Sequence, residues 1–117
     1  MILSENKERV MKFVKEICRQ KKVLCDAWAA DNSNSLYFRI YFENDENECH
    51  VSFRISDHQK KKYIPHFSIF IVTKSTDFKK IEKFVSNRIE ALKKQSLLVN
   101  MNNIQNKEEY TYGRISR

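Results

Sequence analysis

Two segments of this 117-residue chain alternate almost without fault between apolar and polar side chains. In residues 36–42 every even position is large and apolar, and in residues 49–56 every odd position is apolar. Strict alternation of this kind is typical of a β-strand with one face on a core and the other face turned toward solvent or a partner. The chain is therefore predicted to contain two half-buried strands.

The polar face of these two strands carries aromatic and basic side chains, namely Tyr37, Arg39, Tyr41, His50 and Arg54. Many proteins bind single-stranded nucleic acid by stacking its bases on aromatic rings, while neighbouring cations contact the phosphates. Tyr and Arg are also frequent at protein interfaces, and they form ordinary cross-strand pairs on solvated sheets. From the sequence, these three interpretations of the polar face stay open.

Helical periodicity predicts two amphipathic helices that flank the strands. The first covers residues 5–21, with Ser4 as its cap. The second begins after Ser75 or Thr76 followed by Asp77, and its buried stripe ends near Leu92.

Two weaker segments complete the predicted sheet. Residues 23–30 form a strand that is weakened by three alanines, and residues 67–72 form a strand that is apolar on both faces. We expect an α+β fold of order α-β-β-β-β-α, in which a four-stranded antiparallel sheet carries the N-terminal and C-terminal helices on one face.

The chain length fits one domain with a core that needs no disulfide or metal. Residues 1–96 are predicted to form this single α+β domain. Residues 97–117 are predicted to be a C-terminal extension, either docked on the domain or partly disordered. Within it, residues 97–99 could extend the second helix, and residues 110–115 could form a further short strand.

The cysteines and the absence of targeting signals favour a reduced, cytoplasmic protein. Cys18, Cys25 and Cys49 are an odd number without C-x-x-C spacing, so we expect them to pack as small hydrophobes. No signal peptide or transmembrane run is recognisable. We expect no cofactor and no membrane association.

The net charge of +7 is unevenly distributed. Residues 26–57 hold two arginines against seven acidic residues, whereas residues 58–117 hold thirteen Lys or Arg against five. Such segregation favours an oriented encounter with a polyanion. The candidate phosphate contacts lie in a basic loop and on the second helix: His58, Lys60, Lys61, Lys62, Lys79, Lys80 and Lys83.

Catalytic and metal sites are not expected. Asp57, His58 and His66 could act as metal ligands or as acid and base, but adjacent residues of an extended chain point in opposite directions. The acidic turn at residues 43–48 lacks the order and the glycine of a calcium loop, so it is predicted to be a solvated turn. The only glycine is Gly113, which excludes a glycine-rich phosphate loop.

The stretch Arg54-Ile55-Ser56-Asp57-His58 resembles one found in small proteins of bacteriophages and mobile elements, over about residues 35–92. This resemblance implies an accessory protein that binds nucleic acid or inhibits a host defence nucleoprotein such as a CRISPR effector. The helix–sheet–helix order also resembles double-stranded-RNA-binding domains, although those have three strands.

The sequence thus predicts a non-enzymatic basic module that binds nucleic acid through lysine contacts to phosphates and stacking on the Tyr/Arg face. The alternative is a phage-encoded inhibitor or adaptor that binds a host protein or nucleoprotein. A homodimer could form through the apolar fourth strand or through residues 97–99.

Overall fold

A computed structural model describes residues 1–31, 33–57 and 68–115, with the backbone alone for residues 103–115. The elements are helix α1 (Leu3–Gln20), strands β1 (Leu24–Ala29), β2 (Ser35–Tyr41), β3 (His50–Ser56) and β4 (Ser68–Ile71), and helix α2 (Phe78–Ile115). The predicted order α-β-β-β-β-α is confirmed, as is the α+β class. No helix in these described ranges is both long enough and apolar enough to cross a membrane.

The four strands form one sheet in the order β1-β2-β3-β4. The β1–β2 and β2–β3 pairs are antiparallel, but β4 runs parallel to β3, with Phe53 opposite Ser68 and Ser56 opposite Ile71. The predicted purely antiparallel sheet is therefore wrong at its last strand. Alternation within a strand is the same in both directions, so it does not distinguish a parallel from an antiparallel pair. The connection between β3 and β4 lies largely outside the described residues.

The hydrophobic core lies between one face of the sheet and the two helices. Phe38 of β2 and Phe53 of β3 are paired in register, fully buried and stacked with ring centroids 5.0 Å apart. Phe84 of α2 meets the Phe53 ring edge-on at 5.6 Å. The core cluster also contains buried residues of both helices, namely Val10, Val14 and Ile17 of α1 and Ile81, Val85 and Ile89 of α2. Both helices thus cover the same face, as the sequence predicts.

Helix α1 begins earlier than its sequence signals indicate. Leu3 is its first residue, Ile2 precedes it without a side-chain cap, and Ser4 lies inside the first turn. The predicted Ser4 cap is wrong because Leu3 is itself a core residue, 1% exposed. Burial of this leucine draws the first turn onto the core.

Helix α2 begins after Asp77, whose Oδ1 accepts a hydrogen bond from the backbone N–H of Lys80 at 3.0 Å. Asp77 is therefore the cap among the three residues that the sequence offers. The helix then continues for 38 residues, about 57 Å at the usual rise. It passes residue 97 without interruption, and the short strand predicted at residues 110–115 is wrong because the backbone there is helical.

The three cysteines are free thiols. Cys18 and Cys49 belong to the core, and Cys25 packs against it half-buried. Cys18 and Cys25 are close enough for their thiols to share a hydrogen bond, which lowers the pKa of Cys18 and raises that of Cys25.

The aromatic pair that joins β2 and β3 to α2 is expected to dominate stability. Phe53→Ala should lower the free energy of unfolding by about 3–5 kcal/mol, because it removes a buried ring and leaves a cavity between Phe38 and Phe84. Urea unfolding followed by circular dichroism measures this. Ser52→Ala, on the other face of the same strand, should change stability by less than about 0.5 kcal/mol. Equal effects of the two substitutions would contradict this account of the core.

Candidate binding face of the sheet

The five residues predicted on the polar side of β2 and β3 share one surface, opposite the helices. Because Leu36, Phe38 and Ile40 point into the core, the intervening residues of β2 point the other way. Strand pairing then sets Tyr37 beside Arg54 and Tyr41 beside His50, with Arg39 between them. We call this surface of the sheet the outer face.

Trp28 of β1 is a further member of the outer face, one that the alternation of β2 and β3 does not predict. It pairs with Tyr37, and the two rings are nearly parallel, 9° apart, with centroids separated by 5.9 Å. Trp28 is 48% exposed, which is unusual for so large an apolar side chain. Alanines interrupt the alternation of large apolar and polar residues in β1. Which of its side chains lie on the outer face could therefore be inferred only from its register with β2.

Arg54 continues the same row across β3. Its guanidinium carbon lies 5.4 Å from the centroid of the Tyr37 ring, within the range of a cation–π contact. Its Nε and Nη2 donate hydrogen bonds to Ser35 Oγ at 3.1 and 2.6 Å, and Ser35 Oγ is 2.9 Å from Ser56 Oγ. The two serines are fully buried and so give the guanidinium a fixed support. Trp28, Tyr37 and Arg54 therefore form a continuous row of planar groups.

A carboxylate lies in the next row of the outer face. Arg39 contacts the Tyr41 ring at 5.3 Å and forms an ion pair with Asp26 at 3.5 Å, while the Tyr41 hydroxyl donates to Asp26 Oδ1 at 3.2 Å. Both charged partners are about half exposed, so this pair adds little to stability. Its effect is electrostatic, since Asp26 offsets part of the positive charge of Arg39.

The end of the outer face near Tyr41 is acidic. A groove of about 570 Å³ lies there, where Arg39, Tyr41 and His50 meet three carboxylates, Glu43, Asp45 and Glu48. Asp45 has a structural role because its carboxylate accepts hydrogen bonds from the backbone N–H groups of Asn47 and Cys49. The predicted solvated turn thus places its carboxylates beside His50. An anion would be favoured at the opposite end of the outer face, near Trp28 and Arg54.

The predicted lysine contacts on α2 do not converge with the tyrosines. Lys79, Lys80 and Lys83 are exposed on α2, which covers the other side of the sheet. The sheet thus separates them from Tyr37 and Tyr41, and one ligand surface made from both groups does not form. His58, Lys60, Lys61, Lys62 and His66 lie outside the described residues.

Asp57, the remaining candidate for catalysis, has a structural partner. Its Oδ2 accepts a hydrogen bond from Asn34 Nδ2 at 3.0 Å, and its backbone N–H donates to Asn34 O. These bonds tie the end of β3 to the start of β2. In the part of the chain that the structure describes, no group of three His, Cys, Asp or Glu residues could hold a metal ion.

Comparisons of the chain with protein-family models, with curated proteins and with solved structures found no match. The geometry and chemistry of the outer face are therefore the grounds on which a function can be assigned.

The Tyr41–Asp26 contact predicts a pH-dependent signal. Partial removal from water raises the pKa of Tyr41, and the hydrogen bond and negative charge of Asp26 raise it further. The stability that this contact contributes is therefore present below the usual tyrosine pKa of about 10 and is lost as the pH rises through the folded-state value. In Asp26→Asn, the Tyr41 pKa should move down toward the usual value, as measured by NMR titration of ring-labelled tyrosine. An unchanged pKa would show that Asp26 does not act on this phenol.

Proposed function

We propose that this chain is a non-enzymatic module that binds single-stranded nucleic acid on the outer face of its sheet. The observation that carries this proposal is the row of planar groups formed by Trp28, Tyr37 and Arg54, with nearly half of the Trp28 surface exposed. Indole, phenol and guanidinium planes are the groups on which unpaired bases stack.

The energetics are adequate for such a ligand. Stacking of one base on an aromatic side chain contributes about 1–3 kcal/mol. The Tyr37 ring already contacts Trp28 and Arg54, so its position is held before a ligand arrives and less ordering entropy is lost on binding. Trp28 thus presents a partly exposed indole on a rigid support.

Charge supports the same ligand class and restricts how it is bound. A net charge of +7 attracts a polyanion at long range, whatever the position of the individual lysines. At short range, Asp26 and the carboxylates of the groove would repel phosphates. The backbone of a bound strand would therefore pass near Arg54 and Arg39 and avoid the His50 end. Lysines on α2 would steer the encounter without contacting the stacked bases.

Trp28→Ala is the direct test of this proposal. The chain has a single tryptophan, so quenching of its fluorescence by short oligonucleotides at low salt reports on the outer face itself. Loss of the indole should weaken binding by about 5- to 150-fold, the equivalent of one stacked base. Fluorescence anisotropy of a labelled oligonucleotide measures both proteins in the same way.

Leu24→Ala is the matched control, because Leu24 is an exposed apolar residue on the same face of β1, at its acidic end. It should leave the affinity nearly unchanged. Failure of the wild-type protein to bind single-stranded DNA or RNA at low salt would overturn the proposal, as would equal losses in the two variants.

Charge substitutions give a second, independent prediction. Arg39→Ala should weaken binding and reduce the slope of log K against log salt concentration by about 1, if this arginine contacts one phosphate. Asp26→Asn should strengthen binding because a nearby negative charge is removed. Lys83→Ala, on the helix side, should leave the salt slope unchanged. A larger effect at Lys83 than at Arg39 would place the phosphates on the helices and contradict binding at the outer face.

A protein partner is the second candidate, and the mixed charge of the outer face favours it. Trp, Tyr and Arg are the residues that most often dominate protein interfaces, and the acidic groove beside them suits a basic patch better than a phosphate. An inhibitor of a host nucleoprotein would bind a basic patch of its target through this groove and the neighbouring aromatic residues. A host protein that stays bound after nuclease treatment, and is lost with Trp28→Ala, would support this candidate over direct nucleic-acid binding.

A further inference from the structure

Strand β1 lies at one edge of the sheet. In the order β1-β2-β3-β4 its neighbour is β2, and among the residues that the structure describes no strand pairs with its other side. The backbone N–H of Ala30 donates to Ser35 O, which fixes the phase of hydrogen bonding between β1 and β2. Because hydrogen-bonded residues alternate along an antiparallel strand, Cys25, Ala27 and Ala29 turn their N–H and C=O groups away from β2. Strand β1 thus offers a row of backbone donors and acceptors to a further strand.

The edge of β1 lacks the features with which proteins usually block strand pairing, such as lysines, proline or a bulge. The strand contains neither Lys nor Pro, and its register with β2 is continuous from Leu24 to Ala29. Its one charged residue, Asp26, is held by Arg39 and Tyr41 of β2. The three residues with outward backbone groups are a cysteine and two alanines, so another backbone can approach this edge closely.

A groove of about 610 Å³ lies between the start of β1 and helix α1. Among the described residues that line it, three cations face a single carboxylate, that of Glu43. Arg19 also pairs with Glu16 on its own helix, but this pair is exposed and offsets the charge only in part. The groove therefore favours acidic side chains. Its cations are Lys15, Arg19 and Lys22, and its apolar residues are Val23, Leu24 and Cys25.

The other side of this edge, on the outer face, favours apolar side chains. Leu24 and Trp28 lie there and are 41% and 48% exposed. Asp26, between them, would repel a carboxylate on this side. Side chains of an added strand alternate between the two faces of the sheet. A strand with acidic residues toward the groove and apolar residues toward Trp28 would therefore complement both sides of the edge.

We propose that β1 binds an extended, acidic segment of a partner protein, which adds to the sheet as a further strand. Its backbone pairs with Cys25, Ala27 and Ala29, and its carboxylates lie beside the cations of the groove. A second copy of this chain is a poorer occupant, because its β1 offers one carboxylate, Asp26, which is already paired with Arg39. The binding surface is the edge of the sheet, so this inference does not depend on nucleic-acid binding at the outer face.

Fluorescence anisotropy of a labelled synthetic peptide, measured with the full chain and without nucleic acid, tests this inference. The probe has about eight residues, enough to span β1, and alternates Glu with Val. It should bind the wild-type protein, whereas the same peptide with Lys in place of Glu should bind about tenfold more weakly or less. Absence of binding by the Glu peptide at low salt, or equal affinities of the two peptides, would overturn the proposal.

Two substitutions separate strand addition from a general attraction between charges. Ala27→Pro removes an outward N–H but no hydrogen bond to β2, so circular dichroism should show a retained fold while peptide affinity falls about tenfold or more. Lys15→Glu should weaken binding by a similar factor, because it reverses a charge in the groove.

Lys79→Glu is the matched control, since it makes the same change of charge on α2, outside the groove, and should leave the affinity nearly unchanged. Equal losses with Lys15→Glu and Lys79→Glu would contradict binding in the groove. Light scattering that shows a wild-type dimer, lost in Ala27→Pro, would also overturn the proposal, because a second copy would then occupy the edge.

Discussion

The contact between Phe38 and Phe53 is the interaction on which the rest of this structure depends. The two rings stack across neighbouring strands and receive the edge of Phe84 from α2, so one aromatic cluster joins the centre of the sheet to its longer helix. Side chains alternate along a strand, so the burial of these two rings forces their neighbours Tyr37 and Arg54 to the opposite surface. A shift of one residue in either strand would exchange the core and the outer face.

The outer face differs in charge from one end to the other. Trp28, Tyr37 and Arg54 form a row of planar groups that carries the positive charge of Arg54. Arg54 donates hydrogen bonds to the buried Ser35, whose hydroxyl is in turn 2.9 Å from that of the buried Ser56. One row further, Asp26 compensates Arg39, and beyond it the groove is lined by three carboxylates. This gradient gives the face a direction, since a phosphate is favoured at one end and repelled at the other. A ligand that stacks on Trp28 would therefore be bound in one preferred orientation.

Helix α2 carries apolar side chains on two sides. Its core-facing stripe runs from Ile81 to Val99, whereas Leu97, Leu98 and Met101 lie exposed on the other side of the helix. A single helix thereby contributes one side to the core and leaves an apolar cluster exposed on its other side.

The alternation of residues 36–42 and 49–56 by itself determined two central strands and the face on which Tyr37, Arg39, Tyr41, His50 and Arg54 lie, because side-chain direction in a strand is a local property. Helical periodicity likewise determined the two helices and the face that they cover. Only the tertiary structure decided that β4 is parallel to β3, because alternation is the same in both directions. Pairing across the sheet, which a local pattern does not encode, also brought Trp28 beside Tyr37. The packing of α2 on the opposite side of the sheet separated its lysines from the tyrosines.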